Sequence, residues 1–252
     1  MRAVQIWRSV GGESYPEDVD TPVPGCLSYV AMSEWHLGEI ASCQANMDEA
    51  ISLAKELKDM HALANTLHFA AFLAHYERNP TKVERLASEV IELSTRHHYA
   101  QWLAIGSILH GWARSAFGDA TEGVSWIEGG IADHRATGAL RGLPFLLALK
   151  AEALYLGNRI FEALEAIMEA EGLAERFEER LWRAELHRLR AIFLTALGAD
   201  ERHIEASFCE AIKIAKEQKS VSLEKRAEAT YADYRRQKAS GLGGHGFPLP
   251  LC

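Results

Sequence analysis

The sequence predicts an all-α fold, a right-handed α–α superhelix of about five forty-residue helix pairs closed by a capping helix. Three observations predict it: columns of small residues that recur every forty positions, turn residues in register with those columns, and a middle almost free of proline. The cleanest column is Ala31, Ala71, Gly111, Ala151 and Ala191. Small side chains at one position of each unit let two helices approach closely. Two further columns are Cys43, Val83, Gly123, Ala163 and Ile204, and, seven residues later, Ala50, Val90, Gly130, Ala170 and Ala211. Seven residues make about two helical turns, so each pair marks one stripe of a second helix facing the first.

The turn signals fall between the two helices of each unit: Gly38, Arg78-Asn79-Pro80, Gly118, Gly157-Asn158 and Gly198-Ala199-Asp200. Glycine and asparagine accept the left-handed conformation that ends a helix, and proline suits the first turn of the next. The units read as 25–59, 60–99, 100–139, 140–180 and 181–220, followed by a helix over 221–238. The polar residues of that last helix, Glu224, Lys225, Arg226, Glu228, Arg235 and Arg236, suit a cap on an open-ended core. The domain organisation is therefore 1–24, an irregular segment whose longest helix runs from Ala3 to Val10 and which reads either as a frayed half-unit or as the remnant of a longer parent, then 25–238, the repeat domain, then 239–252, a tail expected to be disordered.

Composition narrows the function. A formal net charge of -8 argues against a nucleic-acid backbone as ligand, because phosphate binding needs a basic field. Four dispersed cysteines without a CxxC pair fit a reduced cytoplasmic chain. The start of the chain has no continuous apolar run of an export signal, and Leu143 to Leu156, the most apolar stretch, is too short to span a bilayer and carries Lys150 and Glu152. No membrane partner is expected, and the oligomeric state is not legible.

Catalytic and metal signatures are missing: HExxH and GxSxG do not occur. His61, His68 and His75 share a helix face, but successive members lie about 10 Å apart along it, too far to share one ion. His97 and His98 sit where side chains cap a helix end. Glu34 with His36, and Glu185 with His187, diverge on a helix at two-residue spacing. The chain reads as a non-enzyme with neither cofactor nor metal.

Binding positions should recur at forty as well. Three stripes flank the first small column: Ser28, His68, Ile108, Ala148 and Arg188; Met32, Phe72, Trp112, Glu152 and Ile192; Trp35, His75, Ser115, Tyr155 and Thr195. The candidate groove residues are His68, Phe72, His75, Ile108, Trp112, Ser115, Glu152, Tyr155 and Arg188, a blend of flat apolar contacts and orienting polar groups suited to a peptide or partner helix. Trp35 and Phe72 also suit core positions between units. A small-molecule effector is the alternative ligand; an enclosed pocket rather than an open groove distinguishes it.

The second helices resemble those of tetratricopeptide repeats, in Cys43-Met47-Ala50, Val83-Ala87-Val90, Gly123-Ile127-Gly130, Ala163-Ile167-Ala170 and Ile204-Phe208-Ala211. The unit is longer than that family's, Val83 and Val90 stand where alanine is expected, and Gly129-Gly130 weakens a helix interior. The stretch from Pro24 to Lys238 is also similar to the C-terminal repeat region of bacterial signalling proteins that join a class III nucleotide cyclase or a DNA-binding region to a STAND-type ATPase. PGCLSYVAMSEWHLG, LANTLHFAAFLAHYERNP, WLAIGSILHGWA and AELHRLRAIFLTALGAD carry the likeness. It implies a regulatory or sensing array whose partner is a protein or peptide, with a cyclase, STAND ATPase or regulator among the candidates. The chain has no GxxxxGK[ST] phosphate loop, and the Gly241 to Gly246 cluster lacks its lysine. The resemblance therefore implies a sensor arm, not an ATPase or a cyclase.

Overall fold

The computed structural model describes residues 22–240. The helix expected over Ala3 to Val10 and the tail from 241 lie outside the described residues. Within them the chain forms eleven α-helices: α1 Pro22–Leu37, α2 Ile40–Glu56, α3 Met60–Tyr76, α4 Pro80–His97, α5 Ala100–Ala116, α6 Ala120–Ala136, α7 Leu143–Leu156, α8 Ile160–Arg176, α9 Arg183–Ala196, α10 Glu201–Glu217 and α11 Val221–Ala239. They pack as five consecutive pairs and a final single helix, a tetratricopeptide-like superhelix. The first helix begins at Pro22, three residues before the boundary expected from the repeat. Pro22 and Pro24 fall in its first turn, where proline has no hydrogen bond to lose.

Left-handed residues punctuate the pairs. Gly38, Arg78, Gly118, Asn158 and Gly198 take positive φ between the helices of a pair, forty residues apart each time. Lys58, His98, Gly138, Glu178 and Lys219 do so between pairs. This second series carries one glycine, so sequence alone does not reveal it. Asp59, Asn79, Asp119 and Asp200 cap the following helices by accepting from backbone N–H groups.

The small columns lie at the helix contacts. Ala31, Ala71, Ala151 and Ala191 are fully buried, as are Cys43, Val83, Ala163, Ala50, Val90, Ala170 and Ala211. The tightest approach joins α5 to α6: a Cβ on Gly111 would stand 2.5 Å from the Gly123 carbonyl oxygen, and one on Gly123 2.4 Å from the Gly111 carbonyl oxygen. Nearly all of the apolar interior from Ala31 to Tyr234 is one continuous core.

The array curls until its cap meets its start. Ser222 Oγ donates to the Trp35 carbonyl at 2.5 Å, and His36 Nδ1 shares a hydrogen bond of 2.8 Å with Ser220 Oγ. The inner helices α1, α3, α5, α7 and α9, with α11, therefore surround a common interior.

Candidate functional site

The three forty-residue stripes all point into that interior, and the structure encloses them. Ile108, Trp112 and Arg188 have no exposed surface, His68, Phe72, His75, Ser115 and Glu152 are buried, and Tyr155 is half-buried against Phe193. The candidate residues divide between two neighbouring sites. His75, Trp112, Glu152 and Arg188 join an ion-paired hub, and His68 and Phe72 line a cavity. Ile108, Ser115 and Tyr155 reach neither: Ser115 Oγ donates within its own helix to the Gly111 carbonyl, and Ile108 packs in the core.

The hub is built on Glu152 of α7 and Glu185 of α9. The two oxygens of Glu152 accept from Arg78 Nη1, at 2.9 and 2.7 Å, and the carboxylate also accepts from Trp112 Nε1 at 2.7 Å and from His75 Nε2 at 3.1 Å. Glu185 accepts two bonds from Arg188, Nε at 2.8 Å and Nη2 at 2.7 Å, and a third from Arg78 Nη2 at 3.1 Å. Arg188 also donates to Thr230 Oγ1 of α11 at 3.3 Å. Arg226 of α11 stands 3.5 Å from Glu185, donates to the Tyr76 carbonyl and lies over the Trp35 ring of α1. All six inner helices thus meet at one network of buried charge.

Three guanidinia face two carboxylates there. Burial opposes ionisation of Glu152 and Glu185, but Arg78 and His75 hold Glu152 well below the usual carboxylate range, and Arg188 and Arg226 bring Glu185 to about 2. Burial, reinforced by Arg78 and Arg188, lowers Arg226 to about 10 despite Glu185. Burial also keeps His75 neutral, so Nε2–H donates to Glu152 and buried Nδ1 is left without a partner.

Arg78, Glu185 and Arg226 were not on the candidate stripes. Arg78 occupies a left-handed turn position that other units give to glycine or asparagine, and Arg226 belongs to the helix expected to present a polar cap. The cap instead buries Leu223, Ala227, Thr230 and Tyr234 and turns Arg226 inward, because α11 packs on α1 as well as on α9 and α10. A signal was present in the forty-residue column Ile105, Phe145, Glu185, which continues to Arg226 after forty-one. An acid and a base that follow two bulky apolar residues in one column mark a buried pair.

The cavity arises where the repeat is broken. α3 and α5 begin at Met60 and Ala100, but α7 and α9 begin three residues late in the register, at Leu143 and Arg183. Gly142, with φ 80°, and Pro144 set the start of α7, and Glu178, with φ 54°, sets the turn before α9. The space left by the missing turns is a cavity of about 400 Å³. Its walls include Tyr29, Met32, Asn65, His68, Phe69, Phe72, Trp102, Ile105 and Trp182, with Gln101, Arg141 and Glu178 to Leu181 about its mouth. His68 stacks on Trp102 at 4.6 Å, and Phe145 stacks on Trp182 at 4.5 Å and meets Phe72 edge-on at 4.6 Å. Phe145 also touches His75 and Tyr76, so one aromatic layer joins the cavity to the hub.

The histidines set an acid limit on stability. Burial lowers His68 to about 3 and, with Arg226, His36 to about 4. The unfolded chain takes these protons near pH 6.5 and the folded one resists them, so stability falls as pH drops below about 6.5. Urea midpoints measured between pH 7.5 and 5 should decline, and His68→Phe should make the decline shallower.

His61, His68 and His75 engage different partners: His61 Nε2 accepts from Trp102 Nε1 at 2.9 Å, while His68 and His75 serve the cavity and the hub. Among the described residues no group of three His, Cys, Asp or Glu side chains could hold a metal, and no helix is long and apolar enough to cross a membrane.

No family model matches the chain. An uncharacterized protein of Rhizobium meliloti (strain 1021) is 27% identical over 201 residues, 80% of this chain and 20% of that protein. The chain therefore spans about a fifth of the length of the curated relative it matches. Among solved structures, Bacillus thuringiensis PlcR, in complex with the peptide PapR7 and DNA, aligns with a TM-score of 0.62 and 13% identity over 89% of each chain. At that identity the likeness is one of fold, over a similar length of chain.

Proposed function

We propose that this chain is the effector-binding array of a regulatory protein, non-catalytic, with a short peptide as ligand and the aromatic cavity as its site. The observation that carries the reading is a half-open cavity of about 400 Å³, lined by aromatic rings that would take one side chain, with polar and charged groups at its mouth where a chain would continue. PlcR, a protein with this fold, is solved with a peptide and DNA, which supports a peptide effector. Exclusion of nucleic acid forms no part of the proposal for the same reason. The resemblance to repeat regions of cyclase and STAND ATPase proteins adds a signalling partner of that kind, working in the cytoplasm.

Titratable groups do converge from different helices, as an active site requires, but the hub carboxylates are saturated by guanidinia and lie behind Phe145. That arrangement suits a rigid joint. A ligand in the cavity would press on the layer of Phe72, Phe145 and Trp182 and so act on the contact between α11 and α1.

A compact metabolite is the second reading, favoured by the small volume, which falls near the low end of the roughly 300–1,000 Å³ of small-molecule sites. Thermal-shift measurements with heptapeptide and metabolite panels separate the two, since a bound ligand stabilises by mass action. Peptide hits are expected, and Asn65→Trp and Gln101→Trp, which fill the cavity from its polar side, should weaken them at least tenfold. Metabolite hits without peptide hits would favour the second reading, and peptide binding untouched by both variants would remove the cavity from the account.

A further inference from the structure

The chemistry at the cavity mouth differs from that of the hub. In the hub every guanidinium meets a carboxylate, whereas Arg141 and Arg180 at the mouth have no ion-pair partner among the described residues. Two carboxylates are close by. Glu179 is engaged by the Gly142 N–H, at 3.0 and 3.2 Å, and Glu178 is exposed.

Two helix ends add to the positive field. The first turn of α5 and the N-cap residue of α9 border the cavity, and neither Tyr99 nor Trp182 caps its helix with a side-chain hydrogen bond. Helix N-termini carry partial positive charge and favour an anion. Inside the cavity, His68 is buried, stacks on Trp102 and turns to the backbone of Ala64 and Asn65. The site is therefore apolar and aromatic within, with two guanidinia outside any ion pair where a ligand would enter.

We propose that the cavity binds the carboxyl-terminal end of a peptide, the last side chain, bulky and apolar, lying among Phe72, Trp102 and Trp182 and its free carboxylate meeting Arg141 and Arg180. The inference rests on the peptide-effector reading and narrows it. A guanidinium pairs with a carboxylate through parallel hydrogen bonds, and an amide or an internal peptide bond offers it no such partner. An internal segment would also have to leave the cavity again past the two arginines and would bring them no carboxylate of its own.

Heptapeptide arrays printed in two orientations test this with the full chain: one tethered through the N-terminus, leaving a free carboxylate, the other through the C-terminus, leaving none. Hits confined to the free-carboxylate orientation and ending in Leu, Ile, Met, Phe or Trp are expected, with affinity at least tenfold lower for the same peptide as its amide. Arg141→Gln combined with Arg180→Gln should erase the preference for acid over amide while leaving the melting temperature of the unliganded chain unchanged. Equal binding in both orientations would overturn the carboxylate assignment and leave the peptide reading standing. An acid preference that survives the double substitution would also overturn it. No hit in either orientation that Asn65→Trp abolishes would remove both.

Discussion

Glu152→Ala is expected to destabilise the protein by about 3–5 kcal/mol, the cost of stripping one partner from a buried ion pair. Three donors from two inner helices and one turn converge on this carboxylate, and its loss leaves Arg78 with Glu185 alone and Trp112 Nε1 and His75 without an acceptor. The size of the effect comes from the stranded charge rather than from the worth of the pair. Glu152→Leu combined with Arg78→Met should therefore recover at least half of the loss. Urea unfolding followed by helical circular dichroism measures both. The pH dependence has a defined sign. Folded-state values held below the usual range give Glu152 and Glu185 a stabilising contribution that is present above about 4.3 and lost on acidification, for Glu185 as pH falls through about 2. The gap between the wild type and Glu152→Ala should accordingly narrow on acidification. A deficit below 1 kcal/mol at neutral pH would mean that the hub does not hold the inner helices together.

Gly123→Ala should be the most damaging of the conservative substitutions, costing about 2 kcal/mol net, because overpacking outweighs the gain of about 1 kcal/mol in helix propensity. The added Cβ would stand 2.1 Å from Ser115 Oγ and 2.9 Å from its backbone nitrogen, as well as against the Gly111 carbonyl. α5 and α6 would have to separate. Gly129→Ala on the same helix is the control: nothing lies within 4 Å of its Cβ, so it should stabilise by roughly the propensity difference. Opposite signs for two glycines six residues apart can come from helix packing and not from propensity. Two substitutions of the same sign would contradict the close approach of these helices.

The repeat made most of the fold legible. A column of small residues is a direct trace of helix–helix contact, so Ala31, Ala71, Gly111, Ala151 and Ala191 located the first helices and their buried faces. The turn column was equally informative, since Gly38, Gly118, Asn158 and Gly198 all proved left-handed. The inward direction of the stripes could be read from spacing. What spacing does not encode is the curvature accumulated over five units, which decides whether an inner face is an open groove or a closed interior. Contact of Ser220 and Ser222 with His36 and Trp35, nearly two hundred residues apart, closes it.

The candidate site was legible in part for the same reason. His68 and Phe72 reach the cavity, but Trp102, Trp182, Arg141 and Arg180 come from first turns and connections, where the period gives no guidance. The cavity depends on turns that α7 and α9 lack. A register comparison places Gly142 and Trp182 forty and eighty residues after Trp102, yet only the fold shows that the helices start late. Arg78 sat in a turn and Arg226 in a charged cap, both ordinary surroundings for an exposed arginine. Their burial follows from closure.

Hydrogen–deuterium exchange of the full chain with and without a selected heptapeptide tests the central claim, that the closed interior receives the effector. Slower exchange is predicted over 25–32, 65–72, 101–105 and 178–182, the segments around the cavity, with the outer helices α4, α6 and α8 unchanged. Protection confined to those outer helices, with the cavity segments unaltered, would contradict it.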